Sequence, residues 1–109
     1  MHSTLIVARM RPESADDVAR IFGEFDTTEM PDLMGTRRRQ LFHYNGLYFH
    51  MQDFADDDGI RSIEEAQRHP LFVNVSEMLK AHIGAYDPET WQSPKDAIAT
   101  SFYRWERHT

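Results

Sequence analysis

No cysteine occurs among the 109 residues, and that single absence removes disulfide scaffolds, thiol nucleophiles, thiolate zinc sites and iron–sulfur clusters. Lysine is nearly as scarce, since Lys80 and Lys95 stand against ten arginines. The 12 basic residues are outnumbered by 18 acidic ones, and a net charge of -6 lacks the footprint that nucleic acid or an anionic membrane surface requires. Long apolar runs are missing too. The first, Thr4 to Ala8, stops at Arg9, too short for a signal peptide or a membrane span. A cytoplasmic protein is expected, in which the Asn74-Val75-Ser76 sequon carries no glycan.

What is present supports one core. Hydrophobic residues make up 40% and aromatic ones 12%, and the length fits a single unit over residues 1–109 with no second domain. A chain this short hides only about 65% of its unfolded surface, so a partner subunit is expected. Arginine offers a planar, permanently charged fork of donors, which suits fixed contacts with carbonyl, carboxylate or phosphate oxygens. Codon usage explains the arginine count more simply.

The chain alternates between strand and helix signals. Thr4 to Met10 is apolar and β-branched and ends before Pro12, which predicts a first strand. Ser14 stands as an N-cap before ADDVARIFGEF, where Val18, Ile21, Phe22 and Phe25 form an apolar helical stripe. Residues 26–35 contain Pro31 and Gly35 and read as a loop with one helical turn. TRRRQLFHY and LYFHMQ then flank Asn45-Gly46, the strongest short-range hairpin signal. IRSIEEAQRH predicts a second helix that Pro70 ends, LFVNVSEMLKAHIGAY a third, and ATSFYRW near the end a last strand. The order β-α-β-β-α-β is that of the ferredoxin-like α+β fold, an antiparallel sheet with helices on one face.

Hairpin register sorts the side chains. A two-residue turn pairs Tyr44 with Leu47, Phe42 with Phe49 and Gln40 with Met51, and this apolar face is expected to meet the helices. The other face carries Arg39, Leu41, His43, Tyr48, His50 and Gln52, with Leu41 opposite His50 and Arg39 diagonal to it. Leu41, Tyr48 and imidazoles solvate a sheet poorly, so this face is expected to wall a cavity closed by loops or a second subunit.

FGEFDTTEMPDLMGTRRRQLFHYNGLYFHMQ, the Ala66-Gln67-Arg68-His69-Pro70-Leu71-Phe72 run and the terminal Ser101-Phe102-Tyr103-Arg104-Trp105 closely resemble the tetracenomycin-type single-domain polyketide cyclases. The resemblance covers nearly the whole chain. It implies a homodimer of ferredoxin-like subunits of the dimeric α/β-barrel type. Each subunit would hold an aromatic polyketide intermediate between sheet and helices. The implied reaction closes a late ring by aldol condensation and dehydration with no metal or organic cofactor. The family's polar cavity positions fall on Asp26, Arg39 and His50. The residue before the Asp, often His in the family, is Phe25 here, so no proton carrier stands at that position.

The chemistry assigns roles. Aldol closure needs a base at a methylene flanked by carbonyls, a donor for the developing oxyanion and an acid to expel water. Imidazole titrates near neutrality, which makes His50 the candidate base and acid. Arg39 cannot act as a base, and its guanidinium suits the oxyanion. Asp26 is expected to orient either group or, if buried, to carry a proton itself. It also opens Asp-Thr-Thr-Glu, a capping-box-like pattern, so a pure N-cap role stays open, as do a structural ion pair for Arg39 and an inert packed His50. Phe25, Leu41, His43, Tyr48, Met34 and Trp91 are the expected substrate-lining residues. FADDDGIRSIEE imitates a calcium loop, but Phe54 occupies the first ligand position and Arg61 the apolar eighth, so it reads as an acidic helix start. No metal site is expected. A cofactor-free oxygenase of the same fold and a non-catalytic polyketide-binding subunit are the competing functions.

Overall fold

The computed structural model describes residues 2–92 and 94–107. The β-branched start forms β1 (His2–Met10), and a 3-10 turn at Pro12–Ser14 leads into α1 (Ala15–Phe25). The stripe Val18, Ile21, Phe22 and Phe25 is buried, as the helical period requires. Ser14 makes no capping bond, and its buried hydroxyl instead lies 3.2 Å from His82 Nδ1. The following loop includes α2 (Met30–Met34), which stops at Gly35 with φ 72°.

β2 (Thr36–Tyr44) and β3 (Leu47–Phe54) form the hairpin. Asn45 and Gly46 have φ 52° and 80°, the left-handed pair a two-residue type I′ turn demands. The observed pairs include Tyr44 with Leu47, Phe42 with Phe49, Leu41 with His50 and Arg39 with Gln52. A register shift between Thr36 and Arg38 turns Arg37 outward and lets Thr36 and Arg39 share a face, where the Gln52 amide donates to Thr36 Oγ1 at 2.7 Å. The acidic loop ends in Asp58, whose carboxylate accepts from Arg61 N at 3.0 Å and caps α3 (Gly59–Ala66). Pro70 then begins α4 (Pro70–Leu79), capped by His69.

The sheet order is β2-β3-β1-β4, with β1 antiparallel to both neighbours, the ferredoxin-like arrangement. Two expectations need correction. The fourth strand is Ile83–Gly84, β4, paired with Arg9 and Met10, whereas ATSFYRW lies largely exposed without strand structure. Helix α4 therefore ends at Leu79, and the chain turns through His82 to reach the open edge of β1. Further along that edge the space goes to Ile98, which bridges Ile6, so the terminal aromatic run has no strand beside it among the described residues.

The second correction is the covered face. Tyr48, His50, Gln52 and Phe54 are buried under the helices, while Phe42 and Tyr44 are 46% and 72% exposed. The register was right and the side inverted. Handedness of the β1–α1–β2 crossover decides where the helices lie, not which sheet face is more apolar. Ionisable groups go beneath the helices because they satisfy one another there.

Candidate active site

Three elements converge on one guanidinium. Asp26 caps the C-terminus of α1, Arg39 stands on β2 after the bulge, and His50 lies one strand over on β3. Arg39 Nε donates to Asp26 Oδ1 and Oδ2 at 3.1 and 3.0 Å, and its NH2 donates to Oδ1 at 2.9 Å. NH1 lies 2.9 Å from His50 Nε2. A guanidinium can only donate, so Nε2 accepts and the neutral imidazole carries its proton on Nδ1. The Arg39 side chain is 8% exposed and Asp26 38%, so the pair runs from the interior toward its rim. Two guanidinium N–H groups keep no partner among the described residues.

Aromatic rings frame the cation. Its Cζ is 4.9 Å from the Phe22 ring centre and 5.5 Å from that of Phe25, cation–π distances that hold the charge in an otherwise apolar place. Phe22 also meets the His50 ring edge-on at 5.0 Å. Burial, reinforced by the Arg39 charge, lowers the His50 pKa from 6.5 to about 3. Burial pushes the Tyr48 phenol well above its usual value, opposed in part by Arg39.

The groups open on a cavity of about 590 Å³ between sheet and helices, in the range of small-molecule sites. Of the sequence candidates, Phe25, Met34, Arg39, Tyr48, His50 and Trp91 line it, and Asp26 supports it from outside. Leu41 and His43 do not line it: Leu41 packs against the core, and His43 Nε2 is buried without a partner among the described residues. Asp26 is no N-cap either, since α2 starts from Glu29 with no side-chain cap. Strand parity put Gln52 on the cavity-walling face, and it does line the cavity, although it was not among the expected substrate-lining residues. Sequence reading passed over Gln67 and the α4 residues Phe72, Val75 and Leu79. Among the described residues no three His, Asp or Glu side chains are grouped to hold a metal ion, and no helix is long and apolar enough to cross a membrane.

A ferredoxin-like sheet whose helix-covered face presents a clamped arginine to an apolar cavity defines a small-molecule enzyme of the α+β class. Residues 2–106 match the family model for polyketide synthesis cyclases, and the chain belongs to that family. It is 50% identical over 108 residues to an uncharacterised protein of Streptomyces coelicolor, covering 98% of this chain and 96% of that one. Tetracenomycin F2 cyclase of Streptomyces glaucescens is 41% identical over 104 residues, 95% of this chain and 94% of the relative. The solved structure of that type II polyketide cyclase superposes with a TM-score of 0.89 over 98% of this chain and 99% of its own. An antibiotic biosynthesis monooxygenase, 17% identical with a TM-score of 0.52 over 76% of this chain and 86% of its own, shares the fold alone.

Proposed function

We propose that this protein is an aromatic polyketide cyclase that closes a ring by intramolecular aldol condensation and dehydration, using its own side chains and neither metal nor organic cofactor. The observation that carries the reading is Arg39, locked by Asp26 yet presenting spare donors to an apolar cavity. A substrate oxygen that accepts from NH1 takes that donor from His50 and frees the Nε2 lone pair. His50 then removes a proton from a methylene flanked by two carbonyls, and the electron pair forms an enolate whose oxygen sits on the guanidinium. The negative charge brought beside the imidazole offsets the desolvation that holds its pKa low in the empty site.

The enolate carbon attacks a second carbonyl of the same chain, making one carbon–carbon bond and an alkoxide, which takes up a proton. A second methylene proton and the hydroxyl leave together as one water, and the new ring becomes aromatic. The imidazolium supplies the proton that the alkoxide takes up, and the imidazole so restored takes the second methylene proton and delivers it to the departing hydroxyl. Much of the acceleration comes from the cavity, which folds one chain geometry and keeps water out. Phe25, at a position often His in relatives, contributes wall and not proton transfer. We also assign the protein to the cytoplasm, since no cysteine calls for an oxidising compartment, and propose a homodimer joined through the sheet face that the helices leave uncovered.

Incubation of the purified protein with a linear aromatic polyketide intermediate, followed by product mass and ring-pattern analysis, tests the reading. Loss of one water supports cyclisation, whereas gain of oxygen identifies an oxygenase and an unchanged mass a binding subunit. Arg39→Ala is expected to lower the cyclisation rate by about 10²-fold with the far-ultraviolet spectrum unchanged, and His50→Ala by less. Full rate and product pattern in both variants would leave positioning alone.

A further inference from the structure

Three side chains of β3 face the cavity in succession: Tyr48, His50 and Gln52. Alternate residues of a strand stand about 7 Å apart, so the row from Tyr48 to Gln52 spans about 14 Å along the floor. Arg39 pairs across the sheet with Gln52, but its NH1 bonds His50, which places the cation at the middle of the row. Tyr48 holds the end nearest the hairpin turn, between Ala8 on β1 and His43 on β2.

Tyr48 is 3% exposed, yet its hydroxyl bonds no described group. Among the described residues the sealed side-chain polar atoms without a partner are Thr4 Oγ1 and His43 Nε2 and do not include it, so the hydroxyl is not sealed. The space the ring lines is the cavity. Its ring meets His50 edge-on at 6.2 Å, which fixes it beside the imidazole, and Ala8 below offers no side chain long enough to reach the oxygen. A hydroxyl that faces the cavity and finds no protein partner is left to water or to a ligand.

We propose that Tyr48 is a second anchor of the polyketide, donating a hydrogen bond to an enol, phenol or quinone oxygen next along the molecule from the oxygen that Arg39 holds. This rests on reading the cavity as the polyketide site and adds a specificity element to it. With Arg39 bonded to His50 and Tyr48 the next cavity-facing residue of β3, the floor fixes the spacing of two oxygens on one edge of a fused-ring or partly cyclised chain. A substrate slid by one ring along the row loses one of the two contacts, so the pair selects the carbon placed beside His50. Burial keeps the phenol protonated throughout the neutral range, so its O–H stays available to donate.

The test uses the full-length protein and two probes, alizarin, a dihydroxyanthraquinone dye, and anthracene, which has the same rings without oxygen. Tyr48→Phe keeps the ring and is checked by thermal unfolding. Alizarin affinity is expected to fall about five- to tenfold in Tyr48→Phe with anthracene affinity unchanged, and the bound dye's visible band to shift as its oxygen loses a donor. Equal losses for both probes would mean a packing role and overturn the proposal. Wild-type alizarin affinity in Tyr48→Phe, together with weakened binding in Arg39→Ala, would overturn it while leaving the cavity reading intact. Failure of the wild-type protein to bind either probe would remove both.

Discussion

At the scale of single residues, the site rests on a conflict that the protein resolves by pairing. A buried guanidinium and a buried imidazole each lose water, and Asp26 and the rings of Phe22 and Phe25 replace it for the cation. The imidazole is held neutral, with its acceptor nitrogen turned to Arg39. That choice has a sign in stability. His50 takes up a proton near pH 6.5 when unfolded but only near 3 when folded, so between those values the unfolded state binds more protons. Stability is full above pH 6.5 and falls as the medium is acidified, by up to about 1.4 kcal/mol per pH unit. His50→Gln keeps an acceptor for Arg39 and does not titrate. Urea unfolding from pH 7 to 4 should show a shallower loss for the variant, and parallel curves would mean that His50 is protonated in the native protein. The nearness of Arg39 and His50 was legible in the sequence because hairpin register is a local property of Asn45-Gly46. The neutral state of His50 was not, because desolvation depends on Phe22, which arrives from α1.

Among the elements, local rules were read correctly and long-range ones were missed. The apolar stripe of α1, the hairpin, the acidic start of α3 and the break at Pro70 follow from patterns within a few residues, whereas the capping bond expected of Ser14 does not form. The covered face and the fourth strand depend on crossover handedness and on which edge of β1 is vacant, and neither leaves a mark in the segment concerned. The ATSFYRW run has strand composition, and β4 is a two-residue stretch that periodicity cannot detect. Glycine shows the same contrast on a scale that can be measured. A Cβ on Gly59, at the start of α3, would overlap the fully buried Phe54 ring that ties this helix to the sheet. A Cβ on Gly23, inside α1, would meet nothing within 4 Å. Gly59→Ala is therefore expected to cost about 1–3 kcal/mol, whereas Gly23→Ala should stabilise by about 0.5–1 kcal/mol through helix propensity. Thermal midpoints of the two variants check this, and equal shifts would show that Phe54 yields freely.

For the whole molecule, inverting the sheet faces changes what a second copy is for. Were the polar face uncovered, a partner would be needed to wall the cavity, but the helices of the same chain already form that wall. The centre of the surface left open is apolar: Phe42, Phe49 and Val7 lie side by side across three strands, with Met51 paired to Leu5 in the next row and Tyr44 to Leu47 in the row before, and Arg9, Gln40, Arg38 and Asp53 stand around them. An antiparallel sheet ordinarily turns polar residues to water, and a contiguous apolar sheet face is an association surface. The exposed Phe102, Tyr103 and Trp105 add to the apolar area a lone chain would show to water. In the proposed homodimer a copy of the same chain would supply a matching face by a two-fold axis, and the shortness of the chain makes that burial valuable. Sedimentation should give twice 12.8 kDa for the wild-type protein. Phe42→Glu combined with Phe49→Glu should give a monomer, because two charges on each side of the seam cannot be desolvated together. The cavity lies on the opposite face, so the monomer, if folded, should still bind alizarin. A wild-type monomer, or a dimer that tolerates both glutamates, would place the association surface elsewhere. Loss of dye binding together with dimerisation would mean that the sheet needs its partner to hold the Arg39 and His50 strands in register.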